Sequence, residues 1–239
     1  MNLGRTNPAL TTGFKSAVQD GTTMTIAGTI TKIVILLAVL TGGFIYSWFY
    51  IPYSSGVMVG VSLVTFIVAI FTSFSPKAAQ YSAIIYAAFE GLFLGCISQL
   101  FNQMYPGIVL PAILLTMVCV IVTLIIYGKK PSLAERTRKG VMIGLVTILA
   151  TSLIGIVLSF FGIMLPIYSN GPLGIAFSLI VVAVATISLM QDYDFILRGA
   201  NQGEPKYMEW YAAFGLMVTL VWLYMEILQL LAKIFSNRD

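Results

Sequence analysis

The sequence predicts an all-α integral membrane protein with seven transmembrane helices. Hydrophobic residues make up 59% of the 239 residues and charged residues only 9%, whereas a soluble domain carries roughly 25% charged residues. The mean hydropathy is +0.95, and the apolar residues fall into seven charge-poor runs. Because unpaired backbone groups are too costly in hydrocarbon, each run is expected to be a helix.

The seven runs are each long enough to approach or cross a hydrocarbon core of about 30 Å, at about 1.5 Å per residue. Turn residues such as Ser75-Pro76 and Asn170-Gly171-Pro172 separate them. We therefore predict a cytoplasmic N-terminal segment at residues 1–32 and a membrane domain at residues 33–239. The predicted spans are residues 33–53, 57–74, 78–101, 108–127, 140–165, 173–197 and 210–235.

The basic residues are unevenly distributed along these spans. If the spans alternate in direction, eleven of the thirteen Lys and Arg residues lie on one side, and the loops near residues 52–56, 102–107 and 166–172 hold none. The positive-inside rule then predicts a cytoplasmic N-terminus and a C-terminus outside. The net charge of +4 therefore reports orientation in the lipid bilayer, and no nucleic acid partner is predicted.

Histidine is absent, and the two cysteines, Cys96 and Cys119, both lie inside apolar runs. A His metal site and a His pH switch are therefore excluded, and any proton sensing must use carboxylates. We interpret both cysteines as packing residues, and no resident cofactor is predicted.

The third predicted span combines a carboxylate with a stripe of small residues. Glu90 lies about 18 Å along the helix from the turn at Lys77, near the membrane midplane. Carboxylates inside a bilayer usually mark an ion or proton path, so Glu90 is a candidate for such a path, or else a protonated structural group. Ala87, Gly91 and Gly95 recur at four-residue spacing, which favours close approach of a neighbouring helix.

Two further acids, Asp192 and Asp194, lie near the cytoplasmic end of the sixth predicted span. Residues two apart are about 200° apart around a helix, so these carboxylates cannot both face one site. The spacing leaves open which of them faces the interior and which meets water.

The seventh predicted span carries a polar stripe on one helical face, which predicts that this helix is central in the bundle. Glu226 is the acid in this stripe and is a candidate for function, although a structural hydrogen bond to a neighbour in the stripe remains the alternative. The stripe consists of Thr219, Trp222, Glu226, Gln229 and Lys233.

Several short motifs, in this order, resemble the bacterial branch of the Bax inhibitor family over nearly the whole chain. They are Thr6-Asn7-Pro8-Ala9-Leu10, Phe89-Glu90-Gly91-Leu92-Phe93-Leu94-Gly95, Asp192-Tyr193-Asp194-Phe195, Glu209-Trp210-Tyr211-Ala212-Ala213-Phe214 and Leu223-Tyr224-Met225-Glu226.

This resemblance implies a seven-helix fold with the last helix surrounded by the other six, in the bacterial inner membrane. It also implies a pH-sensitive leak with Ca²⁺ as the transported ion. In structurally described relatives, two aspartates on the last two helices share a hydrogen bond beside a basic residue. By motif, Asp194 and Glu226 take the acidic positions, which would also bind Ca²⁺ transiently, and Lys77 takes the basic one. The sequence departs from the pattern in having Glu at the seventh-helix position and Lys at the basic one.

The physics of such a pair supports a pH-dependent gate. Two close carboxylates inside a bundle cannot both ionise cheaply, so the pair is expected to share a proton and close the path. Loss of that proton adds charge that separates the helices or attracts a cation, and Ca²⁺ prefers oxygen ligands.

Two other classes of function compete with a leak. The resemblance also allows a non-conducting interaction protein that modulates a membrane protease or a stress or cell-death response. An enzyme is not predicted, because an intramembrane aspartyl protease requires a Gly-x-Gly-Asp segment that the seventh span lacks.

Overall fold

Seven long helices form the fold of this chain in a computed structural model, which describes residues 23–51 and 55–236. All seven are long and apolar enough to cross a membrane, which confirms the predicted fold class. The predicted motif at residues 6–10 lies outside the described residues. The helices are α1 (Ile26–Tyr50), α2 (Ser55–Phe74), α3 (Ala79–Met104), α4 (Val109–Lys129), α5 (Ser132–Phe160), α6 (Pro172–Gln202) and α7 (Met208–Ser236).

Several helices extend beyond the apolar runs from which they were predicted. Helix α1 begins at Ile26 instead of residue 33, because the Thr25 side chain caps it by accepting a hydrogen bond from Gly28 N at 2.9 Å. Helix α5 begins at Ser132 instead of residue 140, and its first turns carry exposed basic residues. Hydropathy locates the part of a helix that lies in hydrocarbon, whereas backbone hydrogen bonds continue the helix into water.

Helices α3 and α7 carry the most buried surface of the bundle. Helix α7 packs closely against α1, α3, α4 and α6, and its Leu223 and Leu228 are fully buried. Helix α2 packs mainly on α3, and α5 mainly on α6. The last helix is therefore central as predicted, with four of the other six spans closely packed around it.

The contact between α1 and α3 is unusually close because glycines line it. A side chain at Gly91 would collide with the Leu40 carbonyl oxygen, and one at Gly95 would lie 2.6 Å from the Ser47 Cβ. This confirms the close helix approach predicted from the small-residue stripe. Cys96 lies at the same interface without a disulfide, its Sγ 3.1 Å from the Ser47 hydroxyl.

One end of the bundle collects most of the basic loops, and we call it the basic end. It contains the start of α1, the turn at Pro76–Ala78, the α4–α5 loop and the α6–α7 loop. The Pro76–Ala78 turn packs against α7, and the chain before α1 lies along the α6–α7 loop, where Met24 N donates to Glu204 O at 2.6 Å. The first helix and the last two are thereby tied together at this end.

Candidate functional site

An open cavity of about 480 Å³ lies at the basic end, where α6 ends and α7 begins. We call it the mouth cavity. Its wall holds three carboxylates and two guanidinium groups, so its charges nearly balance. The lining residues are Met24, Arg138, Gln191, Asp192, Asp194, Phe195, Arg198, Gly199, Gln202, Glu204 and Met208.

Asp192 lies where three cavities meet. It borders the mouth cavity, an inner cavity of about 400 Å³ between α5, α6 and α7, and a side cavity of about 300 Å³ between α2, α6 and α7. Its carboxylate faces the Thr219 hydroxyl of α7, and its Oδ2 is buried without a hydrogen-bond partner among the described residues. An unpaired buried oxygen is costly, which makes Asp192 the strongest functional candidate in the bundle.

Asp194 faces a different neighbour. Its Oδ2 lies 2.7 Å from Arg198 Nε, one turn further along α6, and its Oδ1 accepts a hydrogen bond from the Tyr127 hydroxyl of α4 at 3.3 Å. The helical spacing predicted that the two aspartates diverge, and they do: Asp192 faces α7, whereas Asp194 faces α4. Asp194 is therefore a paired charge in the wall of the mouth cavity.

The hydrogen bond expected between Asp194 and Glu226 is not present. Asp194 lies eight residues before α6 ends at Gln202, which places it about 12 Å from the basic end. Glu226 lies eighteen residues after α7 begins at Met208, which places it about 27 Å from the same end. The two helices are antiparallel neighbours, so the acids lie at different depths and do not form a joint Ca²⁺ site. The expected pairing is absent because the packing of α6 against α7 sets their register, and in that register Thr219 of α7 lies opposite Asp192.

Glu226 instead accepts a hydrogen bond from the indole Nε1 of Trp222, one turn earlier on α7, at 3.0 Å. Trp222 also lines the inner cavity that begins at Asp192. The mouth cavity, Asp192, the inner cavity, Trp222 and Glu226 therefore form one polar series that runs inward along α7.

Glu90 belongs to a different part of the core. It is only 6% exposed on α3, and its carboxyl lies beside the Tyr86 hydroxyl. The Tyr86 ring packs edge-on against Phe214 of α7, with 5.1 Å between ring centroids. Glu90 borders neither the mouth cavity nor the inner cavity, so the structure gives it a packing environment between α3 and α7.

The structure does not pair Lys77 with Asp194 or Glu226, the acids for which the resemblance implied it as the basic partner. It is exposed on the turn at Pro76–Ala78, and within residues 23–51 and 55–236 it forms no ion pair. Arg198 stands one turn from Asp194 and is the nearer cation. At the other end of the bundle, Lys233 of α7 donates to the Ser178 hydroxyl of α6 at 2.9 Å.

Sequence reasoning missed the most enclosed carboxylate of the basic end. Glu209 is 1% exposed and pairs with Lys32 of α1 at 2.8 Å, while its Oε1 accepts hydrogen bonds from the Thr25 amide and hydroxyl, each at 2.9 Å. In the sequence, Glu209 stands beside the polar α6–α7 loop and is typical of a solvated helix start. No local pattern predicts its pairing with a residue on the first helix.

The described residues hold no cluster of three or more His, Cys, Asp or Glu side chains that would bind a resident metal. The acids of the polar series, Asp192 and Glu226, instead lie one after the other at different depths along α7. Such an arrangement suits the passage of a cation or proton between weak sites better than its retention.

A family model described as Bax inhibitor 1 like matches residues 7–236 of this chain. No curated protein matches it. The matched region contains all seven helices, the polar series along α7 and the ion pair between α1 and α7. Since the match covers nearly the entire sequence, the chain belongs to the Bax inhibitor 1 like family.

Proposed function

We propose that this protein is a pH-sensitive calcium leak of the bacterial inner membrane, and that Asp192 is its gate. The single observation that carries the proposal is the position of Asp192, a buried carboxylate with one unpaired oxygen at the junction of three cavities. This replaces Asp194 as the gating acid of the sixth helix and leaves Glu226 as the deeper acid of the route.

The charge of Asp192 sets whether a cation can pass the junction. When Asp192 is protonated, the Arg138 guanidinium, which lines both the mouth cavity and the inner cavity, is the remaining charge at the junction. This positive charge and the apolar side chains around the inner cavity oppose cation passage. When Asp192 is ionised, it supplies one oxygen ligand of the hard type that Ca²⁺ prefers, and Glu226 supplies the next one inward. The leak therefore increases as pH rises.

Asp194 has a different role in this proposal. Its ion pair with Arg198 keeps the charge of the mouth cavity close to balance. A balanced mouth admits Ca²⁺ without retaining it, which a conducting path requires.

The test is calcium flux into liposomes that contain purified protein and a calcium indicator, recorded across a pH series. Asp192→Asn removes the ionisable group with little change in volume. We expect flux at high pH to fall by roughly tenfold, equivalent to about 1.4 kcal/mol, and its pH dependence to disappear. Glu226→Gln should lower flux and keep the pH dependence, because Asp192 is intact.

Glu135→Gln is the matched control, because Glu135 is an exposed carboxylate on the neighbouring helix α5. It should behave as the native chain does. If the folded native protein gives no flux above empty liposomes, the leak is rejected and the non-conducting interaction protein becomes the better account. If Asp192→Asn retains the native pH profile, Asp192 is not the gate.

A further inference from the structure

Two adjoining cavities form an apolar groove between α1 and α4. The inner one has a volume of about 310 Å³ and lies over α3 and α7, and the outer one, of about 360 Å³, reaches the α3–α4 turn. Both are lined by Phe44 and Ile113, so the groove is continuous. Helices α1 and α4 do not pack closely against each other, which leaves the groove open to the side.

The groove offers a ligand almost no polar partner along its length. The Thr116 hydroxyl in its wall already donates to the Ala112 carbonyl at 2.8 Å. The Tyr224 hydroxyl at its floor is hydrogen-bonded to Ser98 at 2.7 Å. The outer end is as apolar as the rest of the groove, and the Asn102 side-chain oxygen there already accepts a hydrogen bond from Gly107 N at 2.9 Å. A matching ligand is therefore apolar along the whole groove, and its polar end lies beyond Trp48 and Asn102.

The length of the groove matches one leaflet of a bilayer. On α1 its wall runs from Leu37 to Phe49, twelve residues or about 18 Å. Half of a hydrocarbon core of about 30 Å is about 15 Å. The groove begins at the end of α1 that lies away from the basic end. It stops near the middle of the helix, at the depth where the acyl chains of one leaflet also end.

The lining of the groove favours an unbranched apolar chain as its occupant, because it offers no row of polar partners along its length. The groove opens sideways between two helices long and apolar enough to span a membrane, so such a chain can enter from the bilayer. An apolar cavity in a protein core remains dry and takes up apolar molecules, and the bilayer supplies these at high concentration.

We infer that the groove between α1 and α4 is a binding site for one acyl chain of a phospholipid, whose glycerol end lies beyond Trp48 and Asn102. The lipid fills the space that α1 and α4 leave between them and completes the wall around α7. This site is separate from the polar route along the other side of α7 and does not depend on the proposed leak.

The test is native mass spectrometry of the full chain, reconstituted with dioleoylphosphatidylglycerol and then extracted in mild detergent. Ile113→Trp fills the point where the two cavities join. Leu114→Trp is the matched control, because Leu114 is the next residue on α4, is 56% exposed and lies outside the groove. We expect the native chain and the control to retain one phospholipid, and Ile113→Trp to lose it.

Thr41→Phe blocks the groove from the opposite wall on α1 and should give the same loss. Folding of each variant is checked by its thermal unfolding midpoint. The inference is overturned if a folded blocking variant retains as much phospholipid as the native chain. It is also overturned if the native chain carries no bound lipid, or if the added mass is that of detergent or a free fatty acid. If neither blocking variant folds, the smaller Ile113→Phe takes their place, and the same outcomes support or overturn the inference.

Discussion

Glu209 is held by three donors at the point where α1 and α7 begin. Lys32 neutralises one of its carboxylate oxygens, while the amide and hydroxyl of Thr25 bond to the other. Gly28 permits this arrangement, because a side chain there would collide with the Glu209 carboxylate. One acid therefore fixes the start of the first span against the start of the last.

We predict that Glu209→Gln lowers the stability of the bundle. The amide keeps the size of the side chain but leaves the Lys32 ammonium without its counter-charge. Removing one partner of a buried pair costs roughly 3–5 kcal/mol, and the effect here should be at the lower end because the Lys32 side chain is 19% exposed. The thermal unfolding midpoint in detergent measures it.

Glu135→Gln again serves as the control. Because Glu135 is exposed, this substitution should leave the thermal unfolding midpoint unchanged. Replacing both members of the pair, as in Lys32→Met with Glu209→Gln, should recover part of the loss, because no unpaired charge then remains. Equal midpoints for Glu209→Gln and the native chain would contradict a stabilising role for this pair.

At the same scale, the sequence predicted that Asp192 and Asp194 point apart, because helical geometry fixes the angle between neighbours. It did not predict that Asp192 meets Thr219, because the register between α6 and α7 depends on how whole side-chain surfaces pack. The pairing of Glu209 was not predicted for a related reason. Its partner Lys32 is on a different helix, and nothing in the residues around Glu209 indicates that contact.

At the scale of the helices, the backbones of α1 and α3 lie unusually close to each other. The Leu40 carbonyl occupies the space that a Cβ would need at Gly91. Van der Waals contact between close backbones is a main source of helix association in a membrane. The interface therefore depends on small residues more than on the hydrophobic effect.

We predict that Gly91→Ala destabilises the bundle by about 1–3 kcal/mol, the usual cost of overpacking, because α1 must move away from α3. Cys96 reports this change directly. It is 1% exposed at the same interface. In a chain that carries Cys119→Ala, which removes the other free cysteine, a thiol-reactive fluorescent dye should label Cys96 at a lower temperature in the variant.

Gly42→Ala is the matched control, since a Cβ at Gly42 would meet nothing within 4 Å. It should leave the labelling temperature unchanged or raise it slightly, because Ala favours a helix over Gly. Loss of stability in both variants would contradict the prediction, because Gly42→Ala introduces no close contact and Ala favours a helix over Gly.

The spans themselves were predictable, because an unbroken apolar run in hydrocarbon can satisfy its backbone hydrogen bonds only as a helix. The ends of the helices were less predictable. Helix α1 starts seven residues before its predicted span because Thr25 provides a cap. Helix α5 starts eight residues early because its basic first turns remain helical in water.

For the molecule as a whole, the number of spans and the basic end together predict an orientation. Seven crossings put the two chain ends on opposite sides of the membrane, and the positive-inside rule assigns the basic end to the cytoplasm. The loop between α5 and α6, which contains no basic residue, then lies outside.

Single cysteines test this orientation in a chain that carries Cys96→Ala and Cys119→Ala. Met164, 86% exposed between α5 and α6, and Lys130, exposed between α4 and α5, are the two positions. A membrane-impermeant maleimide added to intact cells should label Met164→Cys. It should label Lys130→Cys only after permeabilisation. The reverse pattern would invert the assigned topology.

The contact between Thr25 and Glu209 joins residues 184 positions apart, and this separation sets an order of assembly. The ribosome makes Thr25 first and Glu209 much later; at about 5–20 residues per second the delay is roughly 10–40 s. During that interval Lys32 is already synthesised and has no counter-charge. The first helix can enter the bilayer early, but its end at Thr25 reaches its final position only after the last helix has been inserted.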